Sequence, residues 1–178
     1  MANIVLVTGG ARSGKSAYAL ARAEEIEGRR CFVATCEVLD AEMAERVEKH
    51  CRERDSRLWE TVEEPLAIAS LVEGGDYDIY LIDCLTLWVN NVMAAFESRG
   101  ESCGEEQIAG EITALIERAA NLQGTVLIVS NEVGMGIVPG NALARKYRDL
   151  VGICNRLIGE AASEVVLVSC GIPLHIKQ

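Results

Sequence analysis

Eight residues near the start of the chain, Gly9-Gly10-Ala11-Arg12-Ser13-Gly14-Lys15-Ser16, have the types and spacing needed to hold a string of phosphates. They satisfy the pattern G-x-x-x-x-G-K-[ST] in full. The glycines let the backbone curl until its N–H groups converge on phosphate oxygens. Lys15 offers a cation to the β- and γ-phosphates of a nucleoside triphosphate, and the Ser16 hydroxyl is a ligand for Mg2+. A glycine-rich turn with a chance lysine would carry the same letters. Its context argues for the phosphate loop: the apolar run Asn3 to Val7 precedes it and helix formers follow. The loop therefore joins a buried strand to the positive end of a helix.

Two carboxylates stand where such a loop would use them. Asp83 closes the apolar run Ile79-Tyr80-Leu81-Ile82. A carboxylate at a strand end there would hold Mg2+ directly or through water, although an aspartate in this place is also an ordinary helix cap. Glu132 lies in the segment Asn131-Glu132-Val133-Gly134-Met135-Gly136-Ile137-Val138-Pro139, directly after the run Thr125 to Val129. Ligands of parallel sheets bind beyond the carboxyl ends of the strands, so this loop should face the nucleotide. Glu132 is then a candidate for ordering the site or a Mg2+-bound water. Spacing alone equally allows a turn with an exposed carboxylate.

A third candidate is His50. Leu39, Met43, Val47 and Cys51 make an apolar stripe on a helix expected from Asp40 to about Arg54. Arg46, His50 and Arg54 form a neighbouring stripe, about 100° around the helix. An imidazole off the buried face and flanked by cations could be a nucleophile toward phosphorus. Taken alone, it could as well be a surface histidine.

The elements that must position these residues follow from the hydrophobic pattern. Strands are expected at Asn3 to Val7, Cys31 to Ala34, Ile79 to Ile82, Thr125 to Val129 and Glu164 to Val168. Edge strands are expected around Trp59 and from Pro173 to Lys177. Helices are expected from Gly14 to Glu27, with Gly28 at the C-terminal glycine position, and from a first turn at Pro65. Two more helical stretches flank the polar segment Glu97 to Glu106. The clearest helix runs from Asn141 to Ala162, with Leu143, Tyr147, Leu150, Val151, Cys154, Leu157, Ile158 and Ala161 at helical spacing. Strands alternating with helices imply βαβ units and a mainly parallel sheet flanked by helices, an α/β fold.

Composition sets the bounds. The chain has 178 residues, enough for one domain, 49% of them hydrophobic and 25% charged. Its net charge of −10 is spread along the chain, which argues against a nucleic-acid partner. No stretch approaches a membrane span, and the N-terminus lacks the basic region of a signal peptide. The 7 cysteines include no Cys-x-x-Cys pair. Reduced thiols in a cytoplasmic protein are therefore expected.

The opening Val7-Thr8-Gly9-Gly10-Ala11-Arg12-Ser13-Gly14-Lys15-Ser16 resembles that of the bifunctional adenosylcobinamide kinase/adenosylcobinamide-phosphate guanylyltransferase family. So do Ala34-Thr35, the helix Glu42-Met43-Ala44-x-Arg46-Val47-x-x-His50 and Trp59-x-Thr61-x-Glu63-Glu64-Pro65. Further matches are Asp83-Cys84-Leu85-Thr86-Leu87-Trp88, the Asn131 to Pro139 loop, Asn141-x-Leu143-Ala144-Arg145, Arg148-Asp149 and Gly171-Ile172-Pro173-Leu174. Relatives often carry Arg-Pro shortly after the histidine, whereas here Arg54 is followed by Asp55-Ser56.

The resemblance implies a P-loop NTPase fold of the RecA-like kind, commonly a homo-trimer, acting on adenosylcobinamide and then on adenosylcobinamide phosphate. It implies GTP as nucleotide, with ATP possible for the kinase step, and Mg2+. It makes His50 a guanylylated nucleophile, with Lys15 and Glu132 as its catalytic companions. Nucleotide contacts are implied at Gly9, Gly10, Ala11, Arg12, Ser13, Gly14, Lys15 and Ser16, at Thr35, Cys36 and Glu37, at Cys51, Arg52, Glu53 and Arg54, and at Glu63 and Asp83. Ser16 and Asp83 are the implied metal ligands. Without the resemblance, the same residues would also suit another P-loop small-molecule kinase, or a nucleotide-gated binding protein.

Overall fold

Alternation along short apolar strands sets the architecture. The computed structural model describes residues 3–36 and 58–178. In chain order these form β1 (Asn3–Gly9), α1 (Lys15–Glu24), β2 (Arg30–Ala34), β3 (Trp59–Glu63), α2 (Ile68–Glu73), β4 (Ile79–Asp83), α3 (Leu85–Ser98), α4 (Glu105–Asn121), β5 (Thr125–Val129), α5 (Ala142–Ala161), β6 (Glu164–Ser169) and β7 (Ile172–Lys177). The strands make one seven-stranded sheet in the order β3-β2-β4-β5-β1-β6-β7. All neighbours are parallel except β6 and β7, which pair antiparallel. This is the α/β fold expected, with Trp59 opening an edge strand.

Because strand side chains alternate, each strand feeds two cores. Ile4, Leu6, Tyr80, Ile82, Val126 and Ile128 lie on one face, under Val72, Trp88, Ile108, Ile112, Leu115, Val151 and Ile158 of α2 to α5. Val5, Val7, Leu81, Leu127, Val129 and Val168 lie on the other, under Ala19 and Ala23 of α1. Small residues on α1 let that helix lie close to the strands that carry the phosphate loop. Each large side chain so buried contributes roughly 1.5–3 kcal/mol.

Three expectations need correction. α1 ends at Glu24 rather than Glu27, so Gly28 lies beyond the helix terminus. Pro65 precedes α2 instead of opening it, and the Glu64 carboxylate accepts from the amides of Leu66 and Ala67 in the intervening turn. Leu143 and Ala161, at the two ends of α5, are exposed, whereas Leu150, Val151, Cys154 and Ile158 between them are buried. The polar Glu97 to Glu106 connection also carries one residue into the core, Cys103.

Candidate nucleotide and phosphoryl-transfer site

Register places the chemistry on one level. Val7 of β1, Val129 of β5, Asp83 of β4, Ala34 of β2 and Glu63 of β3 are paired across successive strands. The phosphate loop, Asp83, Glu132 and Glu63 therefore all leave the carboxyl edge of the sheet. Strand spacing puts Asp83 about 10 Å from Val7, and Glu63 about 19 Å away at the far edge.

The loop is shaped by what its glycines permit. A Cβ at Gly9 would collide with the Val168 carbonyl and the Ser13 hydroxyl. Gly14 has φ of +94°, and a Cβ there would stand 3.3 Å from Gly171 Cα. The loop is braced by Ser13 N donating to Gly10 O at 3.2 Å and Gly171 N donating to Ser13 O at 2.8 Å. At the N-terminus of α1, Gly14 has no side chain to cap the first-turn amides. Lys15 is buried, and its Nζ donates to Gly10 O at 3.2 Å, across the mouth of the loop. The Ser13 hydroxyl is buried without a hydrogen-bond partner. Open amides, a buried ammonium and an orphaned hydroxyl fit an anion with several acceptor oxygens.

Ser16 is half-buried on the first turn of α1, and Asp83 is half-buried at the end of β4. Among the described residues, no group of three or more His, Cys, Asp or Glu side chains could hold a metal. A hydroxyl and one carboxylate suit Mg2+ held largely by phosphates and water.

Glu132 is wired into the loop from the other side. Its N–H donates to Gly9 O at 3.0 Å, and its Oε1 accepts from Thr8 Oγ1 at 2.9 Å and from Asn155 Nδ2 at 3.2 Å. Asn131 Nδ2 donates to Thr86 Oγ1 at 2.8 Å, and Tyr147 OH donates to Thr86 O at 3.1 Å. Burial pushes the Tyr147 hydroxyl up, so it remains a donor at neutral pH. Burial likewise pushes up the Cys84 thiol, helped by Asp83. Cys84 is thus a neutral thiol rather than a nucleophilic thiolate.

Thr35 is fully buried. Its hydroxyl donates to Cys84 O at 2.8 Å and accepts from Cys84 N at 2.9 Å, tying β2 to β4 behind Asp83. Cys36 is half-buried beside it, and Glu63 is exposed. Glu37, His50, Cys51, Arg52, Glu53 and Arg54 lie outside the described residues, as do Arg46 and the helix expected from Asp40 to Arg54.

Sequence reading did not single out Thr8, Ser130 or Asn155. Asn155 carries a signal all the same. It lies four residues after buried Val151 and three before buried Ile158, a polar residue on the inward stripe of α5.

A braced phosphate loop at the end of β1, facing carboxylates from two neighbouring strand ends, defines a P-loop nucleotide-binding enzyme of the α/β class. The family model described as cobinamide kinase / cobinamide phosphate guanyltransferase matches residues 5–176, and the chain belongs to that family. It is accordingly an enzyme with a kinase and a guanylyltransferase activity. The bifunctional adenosylcobalamin biosynthesis protein CobP of Pseudomonas aeruginosa is 38% identical over 175 residues, covering 97% of this chain and 96% of the relative. The bifunctional adenosylcobalamin biosynthesis proteins CobU of Escherichia coli and Salmonella typhimurium are each 38% identical, covering 98% of this chain and 99% of the relative. No helix among the described residues is long and apolar enough to cross a membrane.

Proposed function

We propose that this chain, acting as one domain over residues 1–178, phosphorylates adenosylcobinamide and then transfers GMP from GTP to the phosphate so formed, through a guanylylated His50. The observation that carries the shared site is the single phosphate loop, whose buried Lys15 and unpartnered Ser13 hydroxyl stand ready for phosphate oxygens. In the first step the aminopropanol hydroxyl of the corrinoid forms a bond to the γ-phosphorus. The bond from that phosphorus to the bridging oxygen breaks, a nucleoside diphosphate leaves, and the hydroxyl proton passes to Glu132. GTP is the proposed donor, and ATP would offer the same γ-phosphate to the loop.

In the second step an imidazole nitrogen of His50 bonds to the α-phosphorus of GTP and pyrophosphate leaves. An oxygen of adenosylcobinamide phosphate then displaces the histidine, giving adenosylcobinamide-GDP. Dividing the transfer into two displacements at a nitrogen nucleophile is ordinary covalent catalysis. Lys15 and the loop amides of Gly9 to Ser16 hold the phosphates. Ser16 and Asp83 would hold Mg2+, which offsets phosphate charge when bound. Glu63, at the far edge of the sheet, suits the nucleoside end rather than the phosphates; by resemblance Thr35, Cys36 and Glu37 contact the nucleotide, and Cys51 to Arg54 its guanine and phosphates.

The assembly is proposed to be a homo-trimer. Ile172, Leu174 and Ile176 of β7 are large, apolar and exposed, Ile172 and Leu174 on one face of the edge strand and Ile176 at a register shift in its pairing with β6. They offer a surface that assembly would cover.

His50→Ala tests the reading. Labelling of the protein by GTP and transfer of GMP to adenosylcobinamide phosphate should both vanish. Phosphorylation of adenosylcobinamide should survive at least in part, since it needs only the γ-phosphate, the metal and a positioned hydroxyl. Persistent GMP labelling of the folded variant would refute the histidine assignment.

A further inference from the structure

We propose that Asn155, on α5, is a positioning residue for the phosphorylation step, acting by aiming the carboxylate of Glu132. The proposal rests on the catalytic reading of Glu132 given above.

The amide of Asn155 is fixed at both ends. Its Oδ1 accepts from the hydroxyl of buried Ser130 at 2.6 Å. Its Nδ2 is thereby turned the other way, where it donates to Asn131 O and to Glu132 Oε1, each at 3.2 Å. Thr8 Oγ1 donates to the same Oε1 at 2.9 Å. Both side-chain donors converge on one carboxylate oxygen, and among the described residues none reaches Oε2. The main chain is held too: Ser130 N donates to Val7 O at 2.9 Å and Glu132 N to Gly9 O at 3.0 Å.

The torsion that turns a glutamate carboxylate is soft, with broad and roughly two-fold wells. Two donors on Oε1, from β1 and from α5, remove that freedom and leave Oε2 with its lone pairs available. A general base needs a single oxygen delivered within hydrogen-bond reach of the proton it takes. The Gly9 carbonyl that holds the Glu132 amide belongs to the phosphate loop itself, so the carboxylate is referenced to the phosphates. Asn155 touches none of the reacting atoms.

Packing alone does not explain the residue. An apolar side chain at this position would continue the stripe of Val151, Cys154 and Ile158, whereas an amide there must find partners or cost stability. It finds three, and the one that is neither main chain nor a hydroxyl is Glu132.

The test measures adenosylcobinamide phosphorylation by the wild type, Asn155→Ala, Glu132→Gln and the double variant. Asn155→Ala should lower kcat by about 10- to 100-fold, the cost of a misplaced catalytic group, and leave KM for GTP unchanged. The double variant should be no slower than Glu132→Gln alone, because the first residue acts only through the second. Asn155→Asp keeps the size and an acceptor for Ser130, and so serves if the alanine variant fails to fold. It sets carboxylate against carboxylate, and should lose as much kcat while shifting the pH profile upward as the pair retains a proton.

Equal losses from Asn155→Ala in both backgrounds would mark a merely structural residue and overturn the proposal. Full activity of Asn155→Ala and Asn155→Asp beside a slow Glu132→Gln would overturn positioning but leave the role of Glu132 standing. Full activity of Glu132→Gln would overturn both.

Discussion

The segment from Ser130 to Val138 is built on two opposite plans. At its root, Ser130, Asn131 and Glu132 engage Asn155, Thr86, Thr8 and the backbone of β1 through hydrogen bonds of 2.6–3.2 Å. At its tip, Met135, Ile137 and Val138 are 79%, 98% and 60% exposed. The root sits where phosphorus chemistry would occur, and preorganised polar groups act there without reorganising during the reaction. The tip, like β7, presents exposed apolar side chains that no described residue covers. One stretch of the segment is thus closed by polar contacts, while the next exposes apolar side chains.

The comparison breaks first at Lys15. Lys15→Ala should depress both phosphorylation and guanylylation by about 1000-fold, because each step loses the same phosphate-positioning cation. Kinetics of both steps on the folded variant check this. Guanylylation near the wild-type rate beside a dead kinase would mean that the two steps do not share a site.

Opening the other region should act differently. Leu174→Ser combined with Ile176→Ser should convert a trimer to a monomer by light scattering. Thermal stability of the isolated chain should change little, about 0.5 kcal/mol or less per exposed residue. A wild type already monomeric at micromolar concentration with full activity would remove the assembly from the account.

The smallest effect is expected among the thiols. Burial pushes the thiols of Cys31 and Cys154 up to about 12, Cys31 helped by the charge of Glu60. Raised values leave these groups protonated at pH 8, so they should resist alkylation in the native protein. Cys170 is exposed in the β6–β7 turn beside the phosphate loop, and should react ahead of them. Peptide mapping after brief alkylation reads the order, and early modification of Cys31 or Cys154 would contradict the burial.

Most of the fold was legible because its strands are short apolar runs closed by glycine, aspartate or serine. The phosphate loop was legible because its spacing is set by local backbone geometry. Terminal positions were less so. The exact end of α1 and the place of Pro65 depend on turns, and the Glu64 carboxylate that organises one of them looked like any surface acid. Leu143 fits the helical spacing yet is exposed, because periodicity sets a face and not how much of its length is covered. The network behind Glu132 was hidden for a different reason. Thr8, Ser130 and Asn155 come from three elements, and Thr8 meets Glu132 across 124 positions of sequence. Only the pairing of β1 with β5, and of α5 with both, brings them together.

The central claim, one nucleotide site passing GMP through His50, is tested most directly by intact-mass measurement of the protein after incubation with GTP. The account predicts a mass gain of one GMP group per chain, acid-labile and base-stable as a phosphoramidate is, and absent from His50→Ala. Adding adenosylcobinamide phosphate should return the protein to its original mass as adenosylcobinamide-GDP forms. Formation of adenosylcobinamide-GDP at the full rate by a protein that never carries the adduct would contradict it.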